Sequence, residues 1–302
     1  MAVIEYKKTK KNTKENLTGY LFILVPVIGF LVFTALSMGV SIYFSFTDFD
    51  PVIGEGEILD PFYQNYVKLF EKQEFLDACI NTLILLISIP IGMFIGLLLA
   101  SYLKNISHGS KALRLIYYLP AVSSAVAINV IWRYIFDIDN GILNTLLGID
   151  VAWLGAADPT NIWAPNNWLI KFAIIIKNIW GAIGGTMLLY LAGLNSIPDS
   201  YYEAAKIDGA SPLKQFFTIT MPLVKPTSFY LIITGIIGGL QSYADAQVFA
   251  EGHYGAKTIV YLIWEYMRND KYGLAAAAST LLGLVIMIVT FIQFKKTKMV
   301  DI

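Results

Sequence analysis

Residues 196–226 read SIPDSYYEAAKIDGASPLKQFFTITMPLVKP, a polar stretch lodged between two long apolar runs. A loop of this composition faces water. Ser196, followed three residues on by Asp199 with Pro198 in the first turn, is a helix-start signature, so a helix is expected from about Pro198 to Asp208. Gly209 stands where a left-handed residue ends a helix, and Ser211-Pro212 starts a second that runs to about Met221, with Pro222 stopping it. Ala204 and Ala205 leave one face of the first helix without bulk, so another protein's surface can approach closely. Glu203 beside them offers a carboxylate that a partner's arginine can take with two parallel bonds. The rival reading is an amphipathic helix pair lying on the membrane through Tyr201, Tyr202, Phe216 and Phe217.

Outward from the loop, the chain is built for lipid. Of its 302 residues 56% are apolar and 15% charged, with a mean hydropathy of +0.60; soluble domains carry about 25% charged residues. Six charge-free runs, each of 18 to 32 residues, cover Asn16–Thr47, Ala78–Leu103, Leu115–Trp132, Asn178–Pro198, Pro226–Ala244 and Tyr272–Phe294. A spanning helix needs about 20 residues, and continuous apolar runs are not the alternating short strands of a barrel. Six transmembrane helices in an all-α integral membrane protein are therefore expected. The first run is too long for the apolar core of a signal peptide and reads as an uncleaved span.

Net charge is zero, 22 basic against 22 acidic residues, so the total points to no partner, and no nucleic acid is expected. Its distribution is informative. With the N-terminus inside, one side holds 14 Lys/Arg in 61 residues and the other 8 in 102. Positive-inside reasoning puts both termini and the 196–226 loop in the cytoplasm, resting mainly on the Lys7 to Lys14 cluster and on Lys104, Lys111 and Arg114. The single cysteine, Cys79, excludes an internal disulfide, and His108 and His253 stand too far apart in sequence to suggest a metal or catalytic centre. Eight carboxylates between residues 48 and 77 match no ligand spacing and read as a solvated loop with a short helix near Phe62 to Phe70. Trp153, Trp163 and Trp168 in the 133–177 loop read equally as a docking surface or as interfacial anchors. Lys171 and Lys177 are expected to snorkel outward, and Asp245 to be solvated at the outer interface.

The loop pattern Glu203-Ala204-Ala205, three residues, Gly209, nine residues, Ile219-x-Met221-Pro222 resembles the EAA loop of the permease subunits of ATP-binding-cassette (ABC) importers, with Met221 in place of the usual Leu. Gly19-Tyr20-Leu21-Phe22 leading to Ser45-Phe46-Thr47-Asp48 is similar to the opening of the first of two permeases in carbohydrate systems. So are Phe75 with Asn81-Thr82, Tyr118-Leu119-Pro120, Trp153-Leu154 and Leu191-Ala192-Gly193-Leu194 further along. The resemblance implies a type I importer permease. A leading part, residues 1–77, would hold the N-terminal segment, the first span and the first outer loop. A core part, 78–302, would hold five spans and the coupling loop.

By resemblance, Glu203, Ala204, Ala205, Asp208, Gly209, Ile219 and Pro222 seat on a nucleotide-binding subunit. This chain has no phosphate loop, so it is expected to be non-catalytic and free of cofactor and metal, with ATP and Mg on the partner. A second permease, two ATPase copies, an extracytoplasmic solute-binding protein and a bacterial cytoplasmic membrane complete the implied assembly. The spacing G-x-x-G-G occurs at Gly181/Gly184/Gly185 and again at Gly235/Gly238/Gly239, which suits close helix packing or room for a ligand. The matching segments of sugar permeases line the passage. Asn178, Trp180, Gly185, Gly238, Gln241, Ser242 and Tyr243 are the expected pathway residues, neutral hydrogen-bonding groups beside aromatic faces that suit an oligosaccharide. Glycerol phosphate or another non-sugar solute is the alternative within the family, and an ion-coupled secondary transporter the alternative outside it.

Overall fold

In a computed structural model, residues 13–51, 53–106, 109–156 and 158–296 are described. His108 and the Lys7–Lys11 part of the basic cluster lie outside them. Four helices are long and apolar enough to cross a membrane: Gly19–Phe44 (span 1), Gln73–Lys104 (span 2), Pro165–Asn195 (span 4) and Tyr272–Lys295 (span 6). Two bent pairs bring the number to six if each counts as one span. Ser110–Val122 and Ala125–Ile135 meet at 98° (span 3), and Pro212–Leu223 meets Lys225–Leu240 at 66°, the latter helix being called span 5 below. The run Leu115–Trp132 is therefore a broken helix instead of the continuous one expected. The break falls at Ser123-Ser124, both in extended backbone, with the Ser123 hydroxyl donating to the Leu119 carbonyl at 2.8 Å in place of a backbone donor.

The centre is the pairing of spans 2 and 4. Met93, Leu97, Ala100 and Leu103 of span 2 form one buried cluster with Met187, Tyr190, Leu191 and Leu194 of span 4. In lipid the association of helices rests on close packing, because tails are as apolar as leucine. Gly96 provides the closeness: any side chain there would overlap Thr186 across the interface. At the far end Leu69, Phe75 and Ala78 close on Leu262, Tyr266 and the alanines 275, 277 and 278 that begin span 6. The expected short helix in the first long loop is present at Gln64–Glu71. Its buried Asn65 donates to the carbonyls of Ser45 and Thr47 at 3.1 and 2.8 Å and so ties the end of span 1 to the core.

Candidate functional site

The 196–226 loop folds into two helices. The first, Ser200–Ile207, begins two residues later than the sequence suggests. Ser196 does not cap it; its hydroxyl donates back to Gly193 O at 2.7 Å and closes span 4 instead. Asp199 caps nothing with its side chain, because Lys104 of span 2 holds the carboxylate at 3.3 Å. The same Lys104 Nζ donates to Leu194 O at 3.1 Å and lies 5.0 Å from the centre of the Tyr202 ring.

Gly209 ends the helix as expected, at φ +73°. Ala210 N donates to Ala205 O at 2.9 Å and Gly209 N to Lys206 O at 3.0 Å, the paired bonds that satisfy the last carbonyls of a helix closed by a left-handed residue. The Ser211 hydroxyl accepts from Lys214 N and caps the second helix. That helix opens with Pro212–Gln215, widens into a π turn over Phe216–Thr220 and closes with Met221–Leu223. Pro222 does not stop it. Pro222 stands in the first turn of the segment that follows the π turn, where a missing N–H costs little, and the chain turns at buried Val224. Tyr202 and Thr220 share a hydroxyl hydrogen bond of 3.1 Å, and Gln215 Nε2 donates to Ala210 O at 2.8 Å. The first link braces one helix against the other, and the second ties the second helix to the turn between them.

Of the expected coupling residues, Glu203, Ala204, Asp208 and Gly209 are exposed, and Ala205, Ile219 and Pro222 are half-buried. The loop also presents Ile207, Leu213 and Phe217, with 87%, 69% and 50% of their surface exposed. Behind it, Lys104, Asp199, Glu203, Lys206 and Gln215 line a cavity of about 820 Å³ against the end of span 2.

At the other end of span 5 the glycine triplets divide. Gly184 abuts the backbone of Tyr117, Gly235 the side chain of Ile89 and Gly239 that of Leu86, whereas Gly181, Gly185 and Gly238 face open space. Close packing thus accounts for three of the six glycines, and the other three leave open space on the same helices. Trp180 and Gln241 are exposed, Ser242 and Tyr243 half-buried; the Trp180 ring meets that of Trp132 edge-on at 5.5 Å.

Three expectations fail here. Asp245 is not solvated but buried, and Lys177 does not snorkel: its ammonium is ion-paired with Asp245 and donates to Asn129 Oδ1 at 2.6 Å. Asn178 Nδ2 donates to the second Asp245 oxygen at 2.9 Å, which commits this expected pathway residue to the pair. Lys171, fully buried, donates to the carbonyls of Ile162 and Asn167 at 3.1 and 3.2 Å. In each case hydrogen-bond partners within the protein hold the charge, as buried charges require. A sequence signal existed for the pair: Lys177 and Asp245 are opposite charges that abut two apolar runs.

His253 in the following loop accepts from Gly255 N at Nδ1 (3.1 Å) and sits 2.7 Å from Gly155 O at Nε2, an arrangement that suits the neutral ring with its proton on Nε2. Burial pushes its pKa below 6.5; the Gly155 carbonyl opposes this and the charge of Lys171 reinforces it. No cluster of three or more potential metal ligands occurs among the described residues.

Known proteins agree with this architecture. Residues 88–295 match the family described as binding-protein-dependent transport system inner membrane component. A protein named as a probable ABC transporter permease, YesP of Bacillus subtilis (strain 168), is 32% identical over 96% of this chain and 93% of its own. The lactose transport system permease protein LacF of Rhizobium radiobacter is 33% identical over 76% and 78%. The sn-glycerol-3-phosphate transport system permease protein UgpA of Yersinia pestis is 29% identical over 91% and 92%. Among solved structures, a chain of a bacterial ABC transporter involved in import of the acidic polysaccharide alginate superposes with a TM-score of 0.79 at 25% identity, covering 97% of this chain and 99% of that one. With a braced helix pair between two spans, no phosphate loop of its own and these relatives along nearly its whole length, the chain belongs to the inner-membrane permease subunits of binding-protein-dependent ABC importers.

Proposed function

We propose that the chain forms half of the passage of a sugar importer, with an oligosaccharide as cargo, and that it takes its motion from an ATPase through the 196–226 loop. The observation that carries the cargo reading is the open face of Gly181, Gly185 and Gly238 beside Trp180 and Gln241. Missing side chains leave volume, an aromatic ring offers a face to sugar C–H groups, and an amide serves hydroxyls without demanding charge. Relatives named for lactose and alginate import favour the same class.

Glu203, Ala204, Ala205, Asp208, Gly209, Ile219 and Pro222 form the proposed seat for the ATPase, and exposed Ile207, Leu213 and Phe217 give that seat apolar area to cover. The assembly would comprise a second permease, two ATP-binding subunits with ATP and Mg, and a solute-binding protein on the face opposite the loop, with both termini cytoplasmic. ATP acts by binding one arrangement of the two permeases better than the other, which shifts the population between inward-open and outward-open forms.

The test is the ATPase rate of the reconstituted complex with its binding protein over a panel of oligosaccharides. Stimulation by one of them is the expected result. A complex that answers only to glycerol phosphate supports the second reading, which the likeness to UgpA over 91% of the chain favours, and overturns the sugar.

A further inference from the structure

On the face opposite the coupling loop, a cavity of about 460 Å³ opens beside the helix Ile259–Arg268, lined by Gln247, Glu251, Tyr261, Trp264, Glu265, Arg268 and Asn269. Its charges do not cancel. Glu251 is ion-paired with Arg133, and both Glu265 oxygens are held by Lys257 Nζ at 2.8 and 2.7 Å. Arg268 is left over: among the described residues no carboxylate lies within ion-pair reach of it. Its guanidinium stacks 4.9 Å from the centre of the Trp264 ring, which fixes the plane of the fork while leaving its edge donors free.

The rest of the wall fits a sugar. Tyr243 and Tyr261 pack against Trp264 with ring centres 5.9 and 5.3 Å away, an aromatic surface for C–H groups. The cavity is fastened to the proposed passage: Thr258 Oγ1 donates to Ser242 O at 2.7 Å, and Tyr243, an expected pathway residue, packs against Tyr261 and Trp264 of its wall.

From this we infer that the cavity is a docking subsite for an acidic sugar unit, its carboxylate held by the Arg268 fork and its ring against Tyr261 and Trp264. The inference rests on the proposed sugar reading and narrows it to cargo that carries an anionic group. A phosphate would satisfy the same fork.

The experiment uses the assembled complex in nanodiscs, without binding protein and at fixed ionic strength. Calorimetric titration with cellobiouronate, cellobiose and sn-glycerol 3-phosphate is compared for wild type, R268Q and R268K. Cellobiouronate is expected to bind about tenfold tighter than cellobiose, the scale of one charge-assisted hydrogen bond. R268Q should erase the difference, and R268K, which keeps the charge without the fork, should restore part of it. Equal affinities, or a preference that survives R268Q, overturn the subsite. Arg268-dependent binding of glycerol phosphate alone supports an anion fork with phosphate as its ligand and overturns the acidic sugar. ATPase stimulation separates the two failures. Stimulation by neutral oligosaccharide with Arg268-independent binding removes the subsite and leaves sugar import standing, whereas no response to any sugar removes the import reading itself.

Discussion

Lys177 and Asp245, 68 residues apart, form a buried ion pair that joins span 4 to the segment leaving span 5, with Asn129 of span 3 and Asn178 completing the hydrogen bonds around it. Both side chains are almost wholly withdrawn from solvent, so each charge depends on the other. K177M leaves a carboxylate buried without its cation and should destabilise the protein by about 3–5 kcal/mol, while K177M/D245N, which removes both charges, should recover most of that loss. Thermal unfolding of the detergent-solubilised complex measures both, and additive losses would show that the pair is not coupled.

The split between neighbouring glycines gives a matched pair of variants. G184A places a methyl against the Tyr117 backbone and should cost about 1–3 kcal/mol. G185A meets open space, should change stability by less than about 0.5 kcal/mol, and should slow uptake by narrowing the passage. Equal effects on both readouts would argue that Gly185 is packing alone.

At Gly209 the surroundings are empty and only the backbone objects. G209A should therefore cost about 1–2 kcal/mol through its left-handed conformation, seen as faster amide exchange at Ala210, whose N–H closes the first helix.

E203R should abolish solute uptake while the complex still hydrolyses ATP and the spans stay folded, because Glu203 is exposed and, among the described residues, no hydrogen bond depends on its side chain. Uptake at the wild-type rate would sink its proposed pairing with an ATPase arginine.

The His253 loop should loosen in acid. Folding lowers the pKa of this histidine, so the unfolded loop binds the extra proton more readily. The stabilisation is complete above the ordinary pKa of 6.5 and is lost as pH falls from there through the folded value. Hydrogen-exchange protection factors over residues 252–258, taken relative to the intrinsic rate at each pH, should fall between pH 7 and pH 5, and H253Q should remove that dependence.

How much the sequence discloses follows from the range of the interaction concerned. The loop's two helices, the left-handed Gly209 and the short Gln64–Glu71 helix depend on residues a few positions apart and were readable to within about two residues. The break in span 3 was not, because Leu115–Trp132 carries no charge and its Pro120 lies within the first half-helix, two residues before the end of that half. The Lys177–Asp245 pair and the surplus cation at Arg268 were missed for a different reason. Ion pairing is decided by which helices become neighbours, and Arg268 is distinctive only once Lys257 is seen holding Glu265 and Arg133 holding Glu251.

In the coupling role proposed for the 196–226 loop, its bracing also sets where motion would be absorbed. Tyr202 is fastened to Thr220, Gln215 to Ala210 and Asp199 to Lys104, so in that role the segment from 199 to 220 would move largely as one piece. A push on its exposed side would then reach Lys104 and, through its bond to the Leu194 carbonyl, the end of span 4. The segment's two ends, at Ser196 and at the 66° turn by Val224, are where the chain leaves this piece, and stiffening either should lower uptake without loosening the proposed ATPase contact.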